Sequence, residues 1–240
     1  MKSPKPLPLE KILFSQGFGT RRHCANLVFA ELVKVNGDLI DDPDAIIPVE
    51  NLSLEVEGVE WIYHEKAYIA FHKPPNYECS HKTKHHPSIY NLLPMPLVER
   101  GVQCVGRLDQ DTTGLILLSD DGQFIHQMTT PKKNIGKVYW IQTAEPIQDH
   151  QIEHLINGVV LDDDPKPCYA TFCEKKDDHQ LEMTIVEGRY HQVKRMLVAA
   201  GNQVQSLHRH AIGNYSLPHD LIEGQWRWLN QQDINNLYSR

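Results

Sequence analysis

Four aspartates crowd the stretch GRLDQDTTGLILLSDDG, residues 106–122: Asp109, Asp111, Asp120 and Asp121. Carboxylates so placed suit a hard metal ion, a pair of acid/base groups acting on a sugar, or one reactive carboxylate among structural neighbours. A hard metal needs several oxygens converging on one point. A carboxylate pair needs a fixed separation across the sugar ring. The spacing specifies neither geometry. Asp120 and Asp121 follow an apolar run and open GQFIHQM, the places of an N-cap and a first-turn acid. Asp109 precedes GLILLS on a loop, a good position for a presented functional group. Arg107, two residues earlier, shares its side of an extended loop. The loop SHKTKHHPS carries His81, His85 and His86 with Lys82 and Lys84. The loop itself holds no cysteine or carboxylate, so it reads as a solvated or anion-contacting loop rather than a metal site.

The elements that must carry these groups are legible in the periodicity. LEKILFSQ has helical spacing, stopped by Gly17 and Gly19. Thr20 is positioned as the N-cap of a second helix, TRRHCANLVFAE. Val33 and Val35 alternate with polar neighbours before Asn36-Gly37, a tight-turn signal. Two short helices and a small hairpin are therefore expected over residues 8–58. The stretch 59–66 reads as a linker, with the boundary near Gly58. Beyond it, AYIAFHK, GLILLS, KVYWIQTA, YATFCE, LEMTIV and NQVQSL have strand character. GQFIHQMTT, HQIEHLING and YHQVKRMLVAAG have helical character, the last closed by Gly201. Strands outnumber helices and some follow one another directly, which favours an α+β domain with a largely antiparallel sheet.

Charge narrows the partners. The net charge is −7 over 240 residues, which by itself does not announce a nucleic-acid binder. The distribution says more: residues 1–37 hold six Lys/Arg against Glu10 and Glu31, whereas residues 38–60 hold eight acids and no base. Residues 188–210 hold Arg189, Lys194, Arg195 and Arg209 with three histidines and no acid. Local basic faces bind polyanions even on an acidic protein. The five cysteines include no CxxC, so reduced thiols in the cytoplasm are expected rather than a zinc ribbon or disulfide framework. The N-terminal residues lack the apolar core of a signal peptide, and no apolar run approaches the roughly 20 residues of a membrane span.

LEKILFSQGFGTRRHCANLVFAELVKVNG resembles the S4 RNA-binding module. The resemblance implies phosphate contacts from Arg21 and Arg22 at the second helix's start and from Lys34 on the adjoining strand. GRLDQDTTGL resembles the signature of the RsuA/RluA superfamily of RNA pseudouridine synthases. KVYWI and EGRYHQVKRMLVAAGNQV match two further motifs of that superfamily, and GRLD behind an S4 module points to its RsuA branch. The domains then expected are a small α/β S4-like module over 1–58, a linker over 59–66, and a pseudouridine synthase domain over 67–240 with a largely antiparallel mixed sheet.

The resemblance implies Asp109 as the essential carboxylate, attacking C1′ or abstracting the 2′ proton. Tyr139 is implied to stack on the uracil, and Lys194 to pair with Asp109, an assignment exchangeable with Arg195. Arg107 is implied to enter the RNA stack, and Arg189 and Arg195 to meet phosphate. Asp111 reads as loop structure. The expected activity is conversion of a uridine in ribosomal RNA, uridine 516 of 16S RNA, within a partly assembled small subunit. It is expected of a cytoplasmic monomer, with no cofactor, metal or membrane. The alternatives are the same reaction on 23S RNA and a non-catalytic RNA-binding or ribosome-assembly factor.

Overall fold

The computed structural model describes residues 5–238; the extreme ends of the first and last expected domains, 1–4 and 239–240, lie outside them. The chain forms two compact units, residues 5–67 with 93–102, and residues 68–92 with 103–238.

In the first unit, β1 (Leu7–Pro8) leads into α1 (Leu9–Gln16) and α2 (Arg21–Phe29), followed by β2 (Val33–Val35), β3 (Asp38–Leu39), β4 (Ile46–Ile47), β5 (Ser53–Val56) and β6 (Val59–Ile62); α3 (Met95–Glu99) completes it. Leu9, Ile12 and Leu13 of α1 and Cys24, Leu27 and Val28 of α2 are buried, the i, i+3, i+4 faces that the sequence spacing predicts. The Thr20 side chain caps α2 by accepting from His23 N at 3.2 Å. Asn36 and Gly37 both have positive φ, as a tight turn between β2 and β3 requires. Gly17 closes α1 at φ +89°, where an added Cβ would lie 2.0 Å from Pro96 O, so only glycine admits α3 here. Gln16 is a buried polar hub: its Oε1 accepts from Trp61 Nε1, His64 N and Arg100 Nη1, and its Nε2 donates to His64 O.

The expected linker 59–66 is replaced in part by structure. Glu57 and Gly58 turn with φ of +51° and +80°, and β6 returns antiparallel on β5 in the sheet order β3-β2-β5-β6. Trp61 is buried, so this strand contributes to the unit's core instead of connecting domains. Gly58 is a hairpin residue rather than a boundary.

The second unit contains β7 (Tyr68–Lys73), β8 (Gln103–Cys104), β9 (Thr113–Ser119), α4 (Gly122–Thr129), β10 (Lys137–Thr143), α5 (Asp149–Asn157), β11 (Val159–Leu161), β12 (Asp164–Cys168), β13 (Phe172–Lys175), β14 (Gln180–Ile185), α6 (Gln192–Ala199), β15 (Val204–Ile212), β16 (Tyr215–Ser216), β17 (Trp226–Trp228) and α7 (Gln231–Tyr238). Among the described residues its main sheet runs β13-β14-β10-β15-β9-β7-β17, with β8 and β16 beside β9 and β15. Every pairing in it is antiparallel except β9 with β15, in keeping with an α+β domain. β9 is buried along nearly its whole length, Gly114 to Ser119, as a central strand covered on both faces must be. In β10 buried Tyr139 and Ile141 flank exposed Trp140, the two-residue alternation of a strand with one dry face.

Two local devices aim side chains at the site. A register shift between Val138 and Tyr139 moves the β15 partner from Ala211 to Arg209. That bulge sets Tyr139 and Arg209 directly opposite each other. Gly114, at φ +103°, lies where a Cβ would come within 2.3 Å of Arg209 O. The glycine therefore permits the parallel approach of β15 to β9, His208 beside Thr113 and Arg209 beside Gly114.

Candidate active site

Arg107, Leu108 and Asp109 lie on the loop between β8 and β9. Lys73, at the end of β7, holds this loop from below. Its side chain is 0% exposed, and its ammonium donates to Pro74 O at 3.0 Å, Gln110 O at 2.9 Å and Thr112 O at 2.9 Å. The three donors of a lysine are thus all used. Burial pulls the Lys73 pKa below its ordinary value. Asn76 N adds a hydrogen bond to Gln110 O at 2.8 Å, and Thr112 N closes a turn on Asp109 O at 3.2 Å.

The opposite wall comes from the N-terminus of α6. His191 precedes the helix in the left-handed conformation, φ 48° and ψ 33°, an arrangement uncommon outside glycine and enriched at functional sites. Its Nε2 lies 3.2 Å from Asp109 Oδ1, and Lys194 Nζ lies 3.5 Å from Asp109 Oδ2. Lys194 is closer still to Asp111, at 2.7 and 2.8 Å to its two carboxylate oxygens. Burial raises the Asp111 pKa, but the hydrogen bond and charge of Lys194 outweigh it and the net shift is downward. Lys194 is therefore shared between two carboxylates, and Asp111 is more than loop structure. Arg195 points elsewhere, pairing with Asp163 and donating to Tyr190 O, so Lys194 is the one that meets Asp109.

Asp109, Arg107, Tyr139 and Lys194 line one cavity of about 490 Å³ together with Lys137 and Arg209. This lies within the usual size range of small-molecule pockets. Tyr139 is buried, and its hydroxyl makes no hydrogen bond among the described residues. Arg107 is exposed at the same cavity. Lys137 donates to Ile135 O and Val186 O; burial, and secondly the charge of Arg209, push its pKa down to about 8.

Other expected site residues lie differently. Arg189 is engaged inside the chain, with Glu187 at 2.8 Å, Asp164 at 3.0 Å and Lys166 O at 2.8 Å. Arg21 and Arg22 are exposed at the start of α2, Arg21 over the Phe14 ring at 5.4 Å. Lys34 pairs with its cross-strand neighbour Glu55 at 2.7 Å, which offsets its charge. Asp121 caps α4, accepting from Gln123 N at 2.9 Å and Tyr68 OH at 2.7 Å; Asp120 precedes the cap. The seven residues of β9 separate these two from Asp109, roughly 20 Å at the strand rise.

The loop of His81, His85 and His86 is organised by Glu78, whose carboxylate accepts from the amides of Lys84, His85 and His86. No cluster of three or more His, Cys, Asp or Glu suited to a metal ion occurs among the described residues. No helix among them is long and apolar enough to cross a membrane.

In the sequence His191 and Arg209 stand out only as members of a basic cluster, and Lys73 only as the end of the strand AYIAFHK. A left-handed histidine and a buried lysine carry no periodic signal.

A carboxylate held between a lysine and a histidine at a cavity lined by a tyrosine suits chemistry on a flipped base. The RNA pseudouridylate synthase family model matches residues 67–199, and the S4 domain model matches residues 7–51; the chain belongs to the RNA pseudouridylate synthases. It is 36% identical over 230 residues to the ribosomal small subunit pseudouridine synthase A of Haemophilus influenzae, covering 95% of this chain and 98% of that one. The protein of the same name from Escherichia coli K12 is 39% identical over 227 residues, covering 94% and 97%. A crystal structure of a pseudouridylate synthase matches with a TM-score of 0.68 at 35% identity, over 96% of this chain and 99% of that one.

Proposed function

We propose that this enzyme converts one uridine of 16S ribosomal RNA, uridine 516, to pseudouridine in a partly assembled small subunit, acting as a cytoplasmic monomer. The observation that carries the site assignment is Asp109 beside His191 and Lys194 at a cavity walled by Tyr139. The substrate assignment is supported by the name shared by relatives that align over nearly the whole chain.

The reaction breaks the N1–C1′ bond, turns the uracil, forms C5–C1′, removes the C5 proton and returns a proton to N1. Asp109 acts at the sugar, on C1′ or the 2′ proton. Lys194, 3.5 Å from its Oδ2, holds that carboxylate in place. Tyr139 holds the detached base by stacking, worth about 1–3 kcal/mol per base. Arg107 fills the place the base leaves, where a planar guanidinium stacks well. Arg21 and Arg22 grip phosphate beside a helix N-terminus. Lys34, Arg189 and Arg195 contribute less to RNA than their charges suggest, because each has an acidic partner within the chain.

Unmodified 16S and 23S RNA, free and in partial particles, are incubated with wild type, Asp109→Ala and Asp111→Ala. Pseudouridines are then mapped by carbodiimide-dependent reverse-transcription stops. One stop at uridine 516 that vanishes with Asp109→Ala and survives Asp111→Ala is expected. A stop in 23S RNA overturns the substrate. No stop with RNA binding intact makes the chain a non-catalytic RNA-binding factor.

A further inference from the structure

The cavity lining contains acids and cations in unequal number. Asp164 and Glu187 are occupied by Arg189, and Asp109 by His191 and Lys194. Four lining cations remain: Arg107 and Lys166 are exposed, whereas Lys137 and Arg209 are half-buried and buried, and neither of these two has a carboxylate within ion-pair distance among the described residues. Arg209 is 3% exposed. Its Nε donates to Leu115 O at 2.7 Å, and neither terminal nitrogen hydrogen-bonds to any described residue, Nη2 being fully buried. A buried guanidinium without an acid and with free donors is costly. Such a group is retained where a ligand supplies the missing negative charge. The bulge in β15 and the bare Cα of Gly114 are what bring it to this position.

We propose that Arg209, with Lys137 beside it, forms an anion-binding floor that stabilises the detached uracil. The inference rests on the pseudouridine synthase reading and adds to it a residue for the base itself. When N1–C1′ breaks, the bonding electron pair leaves with the uracil, and negative charge spreads over N1 and the O2 and O4 carbonyl oxygens. No oxidant or further reactant is needed; the charge is discharged when C5–C1′ forms, the C5 proton departs and N1 gains a proton. Arg209 is the direct cross-strand partner of Tyr139, so a base stacked on that ring lies beside the guanidinium. RNA phosphates are the competing anion, and an equal deficit on uridine and 5-fluorouridine substrates would point to them. Fixed cations that face charge as it develops lower the barrier without reorganising. The thiols Cys79 and Cys104 feel the charge of Arg209 but receive no hydrogen bond from it.

The test measures single-turnover conversion and RNA dissociation constants for wild type, Arg209→Gln, Arg209→Lys and Lys137→Met, with melting curves on the same preparations. Loss of one preorganised donor to a developing anion slows chemistry by about 10²–10³. Arg209→Gln is expected to slow conversion about 100-fold with RNA affinity within about twofold, and Arg209→Lys to recover part of the loss. A second substrate carries 5-fluorouridine at the target, whose base leaves as a more stable anion. On it, the deficit of glycosidic-bond cleavage in Arg209→Gln is expected to shrink. Unchanged rates in a folded variant, or an equal deficit on both substrates, overturn the proposal. If Arg209→Gln does not fold, the ratio of the two substrates in Arg209→Lys and Lys137→Met decides in the same way. Should the wild type modify no RNA at all, the failure lies with the activity, not with Arg209.

Discussion

Replacing Lys73 with methionine tests whether the loop that presents Asp109 is held by one buried ammonium. Methionine keeps most of the stem volume and removes the charge. Three carbonyls, Pro74 O, Gln110 O and Thr112 O, lose a donor at 2.9–3.0 Å. Hydrogen bonds to a charged group contribute about 1.5–3 kcal/mol each, so the gross loss is about 4.5–9 kcal/mol. The ammonium also sheds its desolvation cost, several kcal/mol for a buried ion, and that cost is visible in its lowered pKa. Gln110 O keeps Asn76 N. The expected net destabilisation is about 3 kcal/mol, a fall in Tm of about 6–12 °C for a domain of this size. Urea unfolding followed by tryptophan fluorescence measures it; Trp226 and Trp228 report on β17, the neighbour of β7. Conversion should fall about 100-fold, because a displacement of about 1 Å at a reacting group costs that much, with RNA affinity unchanged. A variant within about 1 kcal/mol of wild type and fully active would refute the reasoning, since the loop would then be held by something else.

Gly114→Ala should destabilise by about 2–5 kcal/mol, as strain at positive φ adds to a clash with Arg209 O; an alanine variant that melts like wild type would remove the glycine's role. For Lys137 the sign of the pH effect differs between stability and activity. Its folded pKa, about 8, lies below the ordinary 10.5, so between these values the unfolded chain holds more protons and stability rises with pH. Over the same interval the cavity loses a positive charge, and conversion should decline as pH passes about 8. Lys137→Met should lack that alkaline limb, and a limb that persists in it belongs to another group. Arg21→Ala with Arg22→Ala should weaken RNA binding and flatten its salt dependence by about one to two units of slope. Lys34→Ala should change the slope little, because Glu55 already faces it at 2.7 Å; equal effects from both would contradict that pairing.

The local signals in the sequence were sound where a single element decides them. The apolar face of LEKILFSQ, the Thr20 cap, the Asn36-Gly37 turn and the buried run of β9 stand where the spacing put them. The hairpin at Glu57-Gly58 reads in the sequence as a boundary, because a positive-φ turn and a domain end look alike in composition. That α3 belongs with residues 5–67 has no local signature at all. In the site, the loop position of Asp109 was legible because the apolar strand after it was. The sharing of Lys194 between Asp109 and Asp111 was not. It depends on where α6 stands beside a loop 83 residues away in sequence. Lys73 looks like an exposed strand end before Pro74-Pro75, and only the tertiary fold buries it.

The same distances along the chain bear on when the enzyme can first work. Lys73 reaches Thr112 across 39 residues, Lys194 reaches Asp111 across 83, and Arg209 reaches Leu115 across 94. Each closure costs chain entropy before any contact repays it, and nonlocal strand pairings form slowly. The parallel seam between β9 and β15, two residue pairs long, joins the loop of Asp109 to the strand of Arg209. During synthesis that seam must wait for β15, so a chain released early carries Asp109 on its loop but no floor beneath the base. The pocket that Asp109 and Arg209 line together is thereby complete only when the sheet is.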